Sequence, residues 1–216
     1  MLPDIVLQTD FGLTTGFVAS MYGVIRMVDQ SLDVFDLNHE IRPFDMRQGS
    51  FLLRDTIPYW KGGTVFVSVV DPGVGTARRG CVAKLNNGSF VVTPDNGSLT
   101  AILDWVVAVR EIDESVNRLK GSDKANSFHG RDVFAYTAAR LASGIINFEG
   151  VGPEYPVNEI VTFETTHGTV APGRAEGEIA GCTKHFGGVG TNIDVDEFEK
   201  TGIVYGDMTH VTIVKN

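Results

Sequence analysis

Thr64-Val65-Phe66-Val67-Ser68-Val69-Val70-Asp71-Pro72-Gly73-Val74-Gly75-Thr76 opens as a β-branched, nearly all-apolar run and closes on a carboxylate, a proline and two glycines. The run from Phe66 to Val70 offers no polar face to water, so it predicts a central strand covered on both sides. Strands of that kind belong to parallel sheets with helical crossovers, where ligands gather outside the carboxyl ends of the strands. Here that end is Asp71-Pro72-Gly73-Val74-Gly75.

On the N-terminal side, Asp4–Thr9 reads as a strand running into a turn, and Phe17, Met21, Val24, Ile25 and Val28 recur at helical spacing. Leu32–Leu37 is extended, and Pro43 is placed to open a helix that carries Met46, Phe51 and Leu52. On the C-terminal side, Cys81–Leu85 and Ser89–Thr93 flank the hairpin signal Asn86-Asn87-Gly88, while Ser98–Leu103 and His129–Ala142 read as helical. The expectation is an α/β fold: a larger N-terminal domain, residues 1–157, with a central, mostly parallel sheet flanked by helices. Beyond it, Ile160–Glu164, Glu176–Gly181, Thr191–Ile193 and Val211–Val214 are short extended pieces, which predict a reduced C-terminal β domain over residues 158–216.

The 216 residues are 43% hydrophobic and 21% charged, enough to bury a full core. A net charge of -9, with Arg78-Arg79 the one adjacent basic pair, argues against a nucleic-acid surface, which needs clustered cations. No apolar run approaches the roughly 18 residues that would span a bilayer, and Asp4 stands where an export signal would be basic. Two distant cysteines, Cys81 and Cys182, form neither a disulfide framework nor a metal motif. A cytoplasmic protein is expected, with no nucleic acid or membrane partner.

Four polar, glycine-bearing segments stand where loops leave strands: Thr9-Asp10-Phe11-Gly12, Asp71–Thr76, Pro94-Asp95-Asn96-Gly97 and Phe128-His129-Gly130-Arg131-Asp132. Asp10-Phe11-Gly12 is not a kinase signature, because no glycine-rich loop or His-Arg-Asp segment accompanies it. Gly73-Val74-Gly75 lacks the third glycine of a dinucleotide fingerprint, and no triphosphate-binding loop exists. The five histidines, His39, His129, His167, His185 and His210, lack the spacing of a metal pair. What remains is Asp71, Arg78 and His129: a carboxylate, a guanidinium and an imidazole, which as residue types serve equally as an ordinary ion pair and a helix-end histidine.

Taken together and in order, these segments, with Gly23-Val24-Ile25 and Gly63–Val67, resemble the SAM hydroxide adenosyltransferases, relatives of the SAM-dependent fluorinase and chlorinase. The resemblance implies hydrolysis of S-adenosyl-L-methionine to adenosine and L-methionine, with no metal or other cofactor. It implies a water site of Asp71, Arg78 and His129, a trio that the halogenases lack, with Arg79 the alternative to Arg78. Arg78 would then stabilise developing hydroxide, His129 accept its proton near neutral pH, and Asp71 orient both. The resemblance also implies substrate contacts from Asp10 to the ribose hydroxyls, from Phe44 and Phe128 beside ribose or adenine, and from Asn96 and Phe186. It further implies a homotrimer, with each site between the larger domain of one subunit and the β domain of its neighbour.

The likeness is strong over residues 4–157 and weaker beyond. Where the family reads Asp-x-x-Phe-Gly-Asn before Thr-Asn-Ile, this chain reads Thr183-Lys184-His185-Phe186-Gly187-Gly188, with Thr191-Asn192-Ile193 intact. Thr183 and Gly188 replace a carboxylate and an amide, and the family continues past Gly206-Asp207 into a further β segment. These departures leave a non-catalytic adenosine- or SAM-binding relative as the alternative, with a SAM-dependent halogenase behind it.

Overall fold

A computed structural model describes residues 2–124, 127–183 and 186–214, with only the backbone of Thr183; Lys184 and His185 lie outside the described residues. The chain divides into two compact units, residues 1–163 and 164–216.

The strand expected from the apolar run is β3, Val65–Val69, and every residue of it is buried. It lies between β1, Ile5–Thr9, and β5, Phe90–Pro94, parallel to both. With β2 (Val34–Asn38), β4 (Gly80–Leu85), β6 (Val106–Glu111) and β7 (Glu154–Tyr155), these form one sheet in the order β2-β1-β3-β5-β4-β6-β7. β2, β1, β3, β5 and β6 share a direction, and β4 and β7 oppose it. The mostly parallel α/β fold is therefore present. The β4–β5 reversal is the Asn-Asn-Gly hairpin: Gly88 takes φ +85°, and its N–H donates to the Leu85 carbonyl at 2.9 Å.

Alternate side chains of the central strands feed opposite cores. Ile5, Leu7, Val65, Val67 and Val69 pack with Met21 and Ile25 of α1 (Phe17–Val28) and Ala138 and Ala139 of α3 (Tyr136–Ala142). Val6 and Phe66 face the other way, against Leu53 of α2 (Met46–Thr56) and Ile102 in a 3-10 stretch over Thr100–Trp105. Each layer buries an apolar helical stripe on one face of the sheet, and truncating a fully buried Phe66 there would cost about 3–5 kcal/mol.

The second helix starts later than Pro43 suggested. Phe44 holds a positive φ of 66°, which no helix tolerates, and the helix opens after Asp45, whose carboxylate accepts from Gln48 N at 2.8 Å. Residues 160–163 pack with the larger unit: Ile160 enters its core, and Val161 N donates to Asp95 Oδ1 at 2.8 Å.

Among its described residues the second unit holds two antiparallel pairs, β8 (Thr169–Ala171) with β9 (Arg174–Glu176) and β10 (Ile179–Thr183) with β11 (Gly188–Thr191), and a short α4, Val195–Glu199. The extended reading of Glu176–Gly181 is broken at Gly177, where Asn192 Oδ1 accepts from Glu178 N at 2.7 Å and its Nδ2 donates to the Thr166 carbonyl at 2.5 Å. Ile160–Glu164 and Val211–Val214 form no strand. No helix among the described residues is long and apolar enough to cross a membrane.

Candidate active site

The parallel strands deliver their C-terminal ends to one edge of the sheet, so the loops after β1, β2, β3 and β5 leave from the same side. Asp10 follows β1, Phe44 lies in the segment after β2, Asp71 follows β3, and Asn96 follows β5. Antiparallel β4 begins at that edge, with Gly80 opposite Pro94, which brings Arg78 and Arg79 there as well. His129 arrives at the start of the helical segment that continues through a wide π turn, Gly130–Ala135, into α3.

Asp71, Arg78 and His129 meet. The guanidinium donates through Nε to Asp71 Oδ1 at 2.9 Å and through Nη2 to Asp71 Oδ2, a bidentate pair in which the Arg78 side chain is 9% and that of Asp71 5% exposed. Nη2 also donates to His129 Nδ1 at 3.0 Å. A guanidinium only donates, so Nδ1 is the acceptor and the neutral ring carries its hydrogen on Nε2. Burial lowers the His129 pKa below its ordinary 6.5; Glu114 opposes this, Arg78 and Arg118 reinforce it, and Asp71 opposes it. The ring is accordingly a neutral donor. Arg78 Nη1 and His129 Nε2 are both buried with no partner among the described residues, two donors prepared for a ligand atom.

Arg79 takes a different course. Its Nη2 lies 2.9 Å from Asp95 Oδ2, Nε donates to the same oxygen at 3.1 Å, and Nη2 also reaches the Glu159 carbonyl at 2.8 Å. Its guanidinium stacks 4.1 Å over the Tyr155 ring. Between the two adjacent arginines, Arg78 is the one that faces Asp71 and His129.

Asp10 stands beside this cluster. Desolvation raises its pKa above the ordinary 3.8; hydrogen bonds from backbone N–H groups, Phe44 first, oppose the rise and the like charge of Asp71 adds to it. Phe44 N donates to Asp10 Oδ2 at 2.9 Å, so the strained backbone at Phe44 holds the carboxylate while its ring projects outward, 65% exposed. That ring helps to line a groove of about 450 Å³ with Arg42, Pro43, Asp45, Met46, Arg47 and Phe163.

Phe128 packs with two aromatics that the sequence reading did not select, Phe11 at 5.6 Å and Phe17 at 5.1 Å between ring centroids. A Cβ at Gly130 would stand 3.0 Å from the Phe11 ring and 3.3 Å from that of Phe128, so a larger residue there would push both rings by a few tenths of an ångström. Asn96 is turned inward: Nδ2 donates to the Val70 carbonyl at 2.9 Å and Oδ1 accepts from Ser98 Oγ at 2.7 Å. Phe186, in the second unit, is 91% exposed. Glu114 was also missed; it lies 3.9 Å from His129 Nδ1 and pairs with Arg118 at 2.6 Å. Its only signal in sequence was the i, i+4 spacing of that ion pair. Cys81 is no nucleophile, since burial pushes its thiol up to about 12.

Residues 5–152 match the family model for the SAM hydroxide adenosyltransferase N-terminal domain. An (R)-S-adenosyl-L-methionine hydrolase from Salinispora arenicola is 44% identical over 66% of this chain, and the chain spans about half, 54%, of that relative's length. A hydrolase of the same name from Methanocaldococcus jannaschii is 33% identical over 91% of the chain and 69% of its own. A fluorinase from Actinopolyspora mzabensis is 27% identical over 98% and 78%. A crystal structure of a conserved protein from Thermotoga maritima superposes with a TM-score of 0.86 at 35% identity, over 94% of this chain and 76% of that one.

Proposed function

Because the chain belongs to the SAM hydroxide adenosyltransferase family, we propose that it hydrolyses S-adenosyl-L-methionine to adenosine and L-methionine. The observation that carries this reading is the buried Asp71–Arg78–His129 chain with its two unpartnered donors, Arg78 Nη1 and His129 Nε2. An apolar pocket would not keep such donors, and a hydroxide or a polarised water satisfies both.

The sulfonium makes methionine a neutral leaving group. Water oxygen attacks ribose C5′ in line, the C5′–O bond forms as the C5′–S bond breaks, and the sulfur keeps the electron pair. The cation and one water yield adenosine, methionine and one proton. Arg78 stabilises the charge that develops on the attacking oxygen as its proton passes to solvent water. Asp71 occupies Nε and Nη2 and so fixes the direction of Nη1. His129 holds the oxygen through Nε2–H. With its Nδ1 lone pair already engaged, it serves as a positioning donor and not as the base expected from its residue type.

Asp10 accepts hydrogen bonds from the ribose hydroxyls, and Phe44 and Phe128 flank ribose or adenine. Asn96, its amide engaged with the Val70 carbonyl and Ser98, supports the site from behind instead of contacting the nucleoside, and Phe186 adds an apolar contact. The reaction as written needs no cofactor. A cytoplasmic homotrimer completes this reading.

A second reading, an adenosine-binding relative without turnover, is favoured by Thr183 and Gly188, which withdraw a carboxylate and an amide from the methionine half of the site. Halogenation is disfavoured, because the Asp71 carboxylate would repel a halide. Chromatography of purified protein incubated with S-adenosyl-L-methionine separates the readings. Adenosine and methionine from the unmodified chain, absent with Asp71→Ala and His129→Ala, support the hydrolase. Tight adenosine binding with no turnover supports the binder, and a chloride-dependent 5′-chloro nucleoside supports the halogenase.

A further inference from the structure

We propose that the Pro94-Asp95-Asn96-Gly97 turn is a positioning clamp for the water site, grasping the residue behind each member of the Asp71–Arg78 pair. Asn96 Nδ2 donates to the carbonyl of Val70, the residue before Asp71, at 2.9 Å. Asp95 N donates to the carbonyl of Arg79, the residue after Arg78, at 2.9 Å. The Asp95 carboxylate then takes the Arg79 side chain through Nη2 at 2.9 Å and Nε at 3.1 Å. Two consecutive residues of one turn thus hold the two ends of the loop that carries the reacting pair.

Across the loop itself stands the Asp71–Arg78 pair, and its two ends leave strands that both pair with β5. The hydrogen bonds that the loop's backbone N–H groups make are local: Val74 N to the Asp71 carbonyl at 3.3 Å, Thr76 N to the Gly73 carbonyl at 3.1 Å, and Arg78 N to Thr76 Oγ1 at 3.3 Å. The turn, in contrast, is itself anchored. Asn96 Oδ1 accepts from Ser98 Oγ at 2.7 Å, while the Asp95 carboxylate accepts from Tyr155 OH at 3.1 Å and Val161 N at 2.8 Å. Asp95 is 4% exposed, and this ring of donors accounts for its burial. Gly97 closes the turn at φ +107°, with the Phe163 ring 3.1 Å from where a Cβ would stand. The clamp acts through β3 and β4: it sets where Asp71 and Arg78 begin, and their bidentate pair then aims Nη1 and presents Nη2 to His129.

On this account Asp95 and Asn96 are positioning residues, and Asn96 acts on the site from behind. The geometric content stands on the contacts alone, and its effect on turnover rests on the hydrolase reading. The test uses the full chain with Asn96→Ala and Asp95→Asn, the former leaving the Asp95 ion pair intact. Unfolding midpoints establish that each variant is folded. The His129 imidazole is titrated by NMR, adenosine affinity is measured by calorimetry, and turnover of S-adenosyl-L-methionine is split into kcat and KM. The groups facing the imidazole are Arg78, Glu114, Arg118 and Asp71. Loosening Arg78 removes one of the influences that hold the ring below its ordinary range, so its titration moves upward in both variants. kcat falls about tenfold or more with adenosine affinity held within about twofold. A His129 titration unchanged in a folded Asn96→Ala protein overturns the clamp, and so does adenosine affinity that falls in step with kcat, which would make Asn96 a ligand contact. If the unmodified protein makes no adenosine, the hydrolase reading fails while the NMR titration still decides the clamp.

Discussion

Arg78 Nη2 donates to His129 Nδ1 at 3.0 Å, and the same guanidinium is held by both oxygens of Asp71. This contact sets the tautomer of the ring: Nδ1 accepts, Nε2 carries the hydrogen, and the imidazole enters catalysis as a donor. A proton-accepting His129 would first have to give up Arg78.

His129→Gln separates donor from base. A glutamine amide can replace the Nε2–H donor but takes up no proton near neutral pH, so the variant is expected to keep at least about tenfold more kcat than His129→Ala. Equal loss in the two variants would return the imidazole to the role of base. Steady-state kinetics of the three proteins at neutral pH is the measurement.

The same residue gives stability a pH dependence. With the folded-state pKa of His129 below 6.5, the unfolded chain binds more protons as pH falls through 6.5, and the folded form loses stability until the folded value is reached. Above 6.5 both states are neutral and the contribution is flat. Thermal unfolding midpoints measured across this window should fall with acidification, and the part due to His129 should vanish in His129→Gln.

Arg78 and Arg79, though adjacent, should fail differently. Arg78→Lys keeps the charge but loses the planar fork that grips Asp71, and kcat should drop on the order of a hundredfold. Arg79→Ala leaves the Asp95 carboxylate, whose side chain is fully buried, without its cation, and the first loss is stability, about 3 kcal/mol. Denaturant unfolding beside kinetics distinguishes them.

Asp10→Asn should weaken adenosine binding by about 1.5–3 kcal/mol, the worth of charge-assisted hydrogen bonds, and change the unfolding midpoint little. Since burial raises the Asp10 pKa above 3.8, wild-type affinity should begin to fall, on acidification, at a higher pH than an ordinary aspartate would give. Calorimetric titrations at several pH values read both effects.

Much of the larger unit was legible because its signals are local. An all-apolar strand, an Asn-Asn-Gly hairpin and a carboxylate at a strand end each declare themselves within a few residues, and the family motifs pick out Asp71, Arg78 and His129. What could not be read was the direction of side chains that depends on distant partners. Only the packing of β7 and residues 159–161 shows that Arg79 turns away to Asp95, Glu159 and Tyr155. Asn96 reads as a loop amide available to a ligand, and it takes the register of β3 against β5 to find Val70 within its reach. Pro43 signals a helix start, but the positive φ at Phe44, tied to Asp10 across the sheet edge, delays it.

The most direct test of the hydrolase reading follows the oxygen. S-adenosyl-L-methionine is incubated with the protein in water enriched in a heavy oxygen isotope, and the products are weighed by mass spectrometry. Attack at C5′ by water held between Arg78 and His129 predicts adenosine with one heavy oxygen at the 5′ position and unlabelled methionine, lost in Asp71→Ala. No adenosine, unlabelled adenosine, or a label on methionine would contradict it.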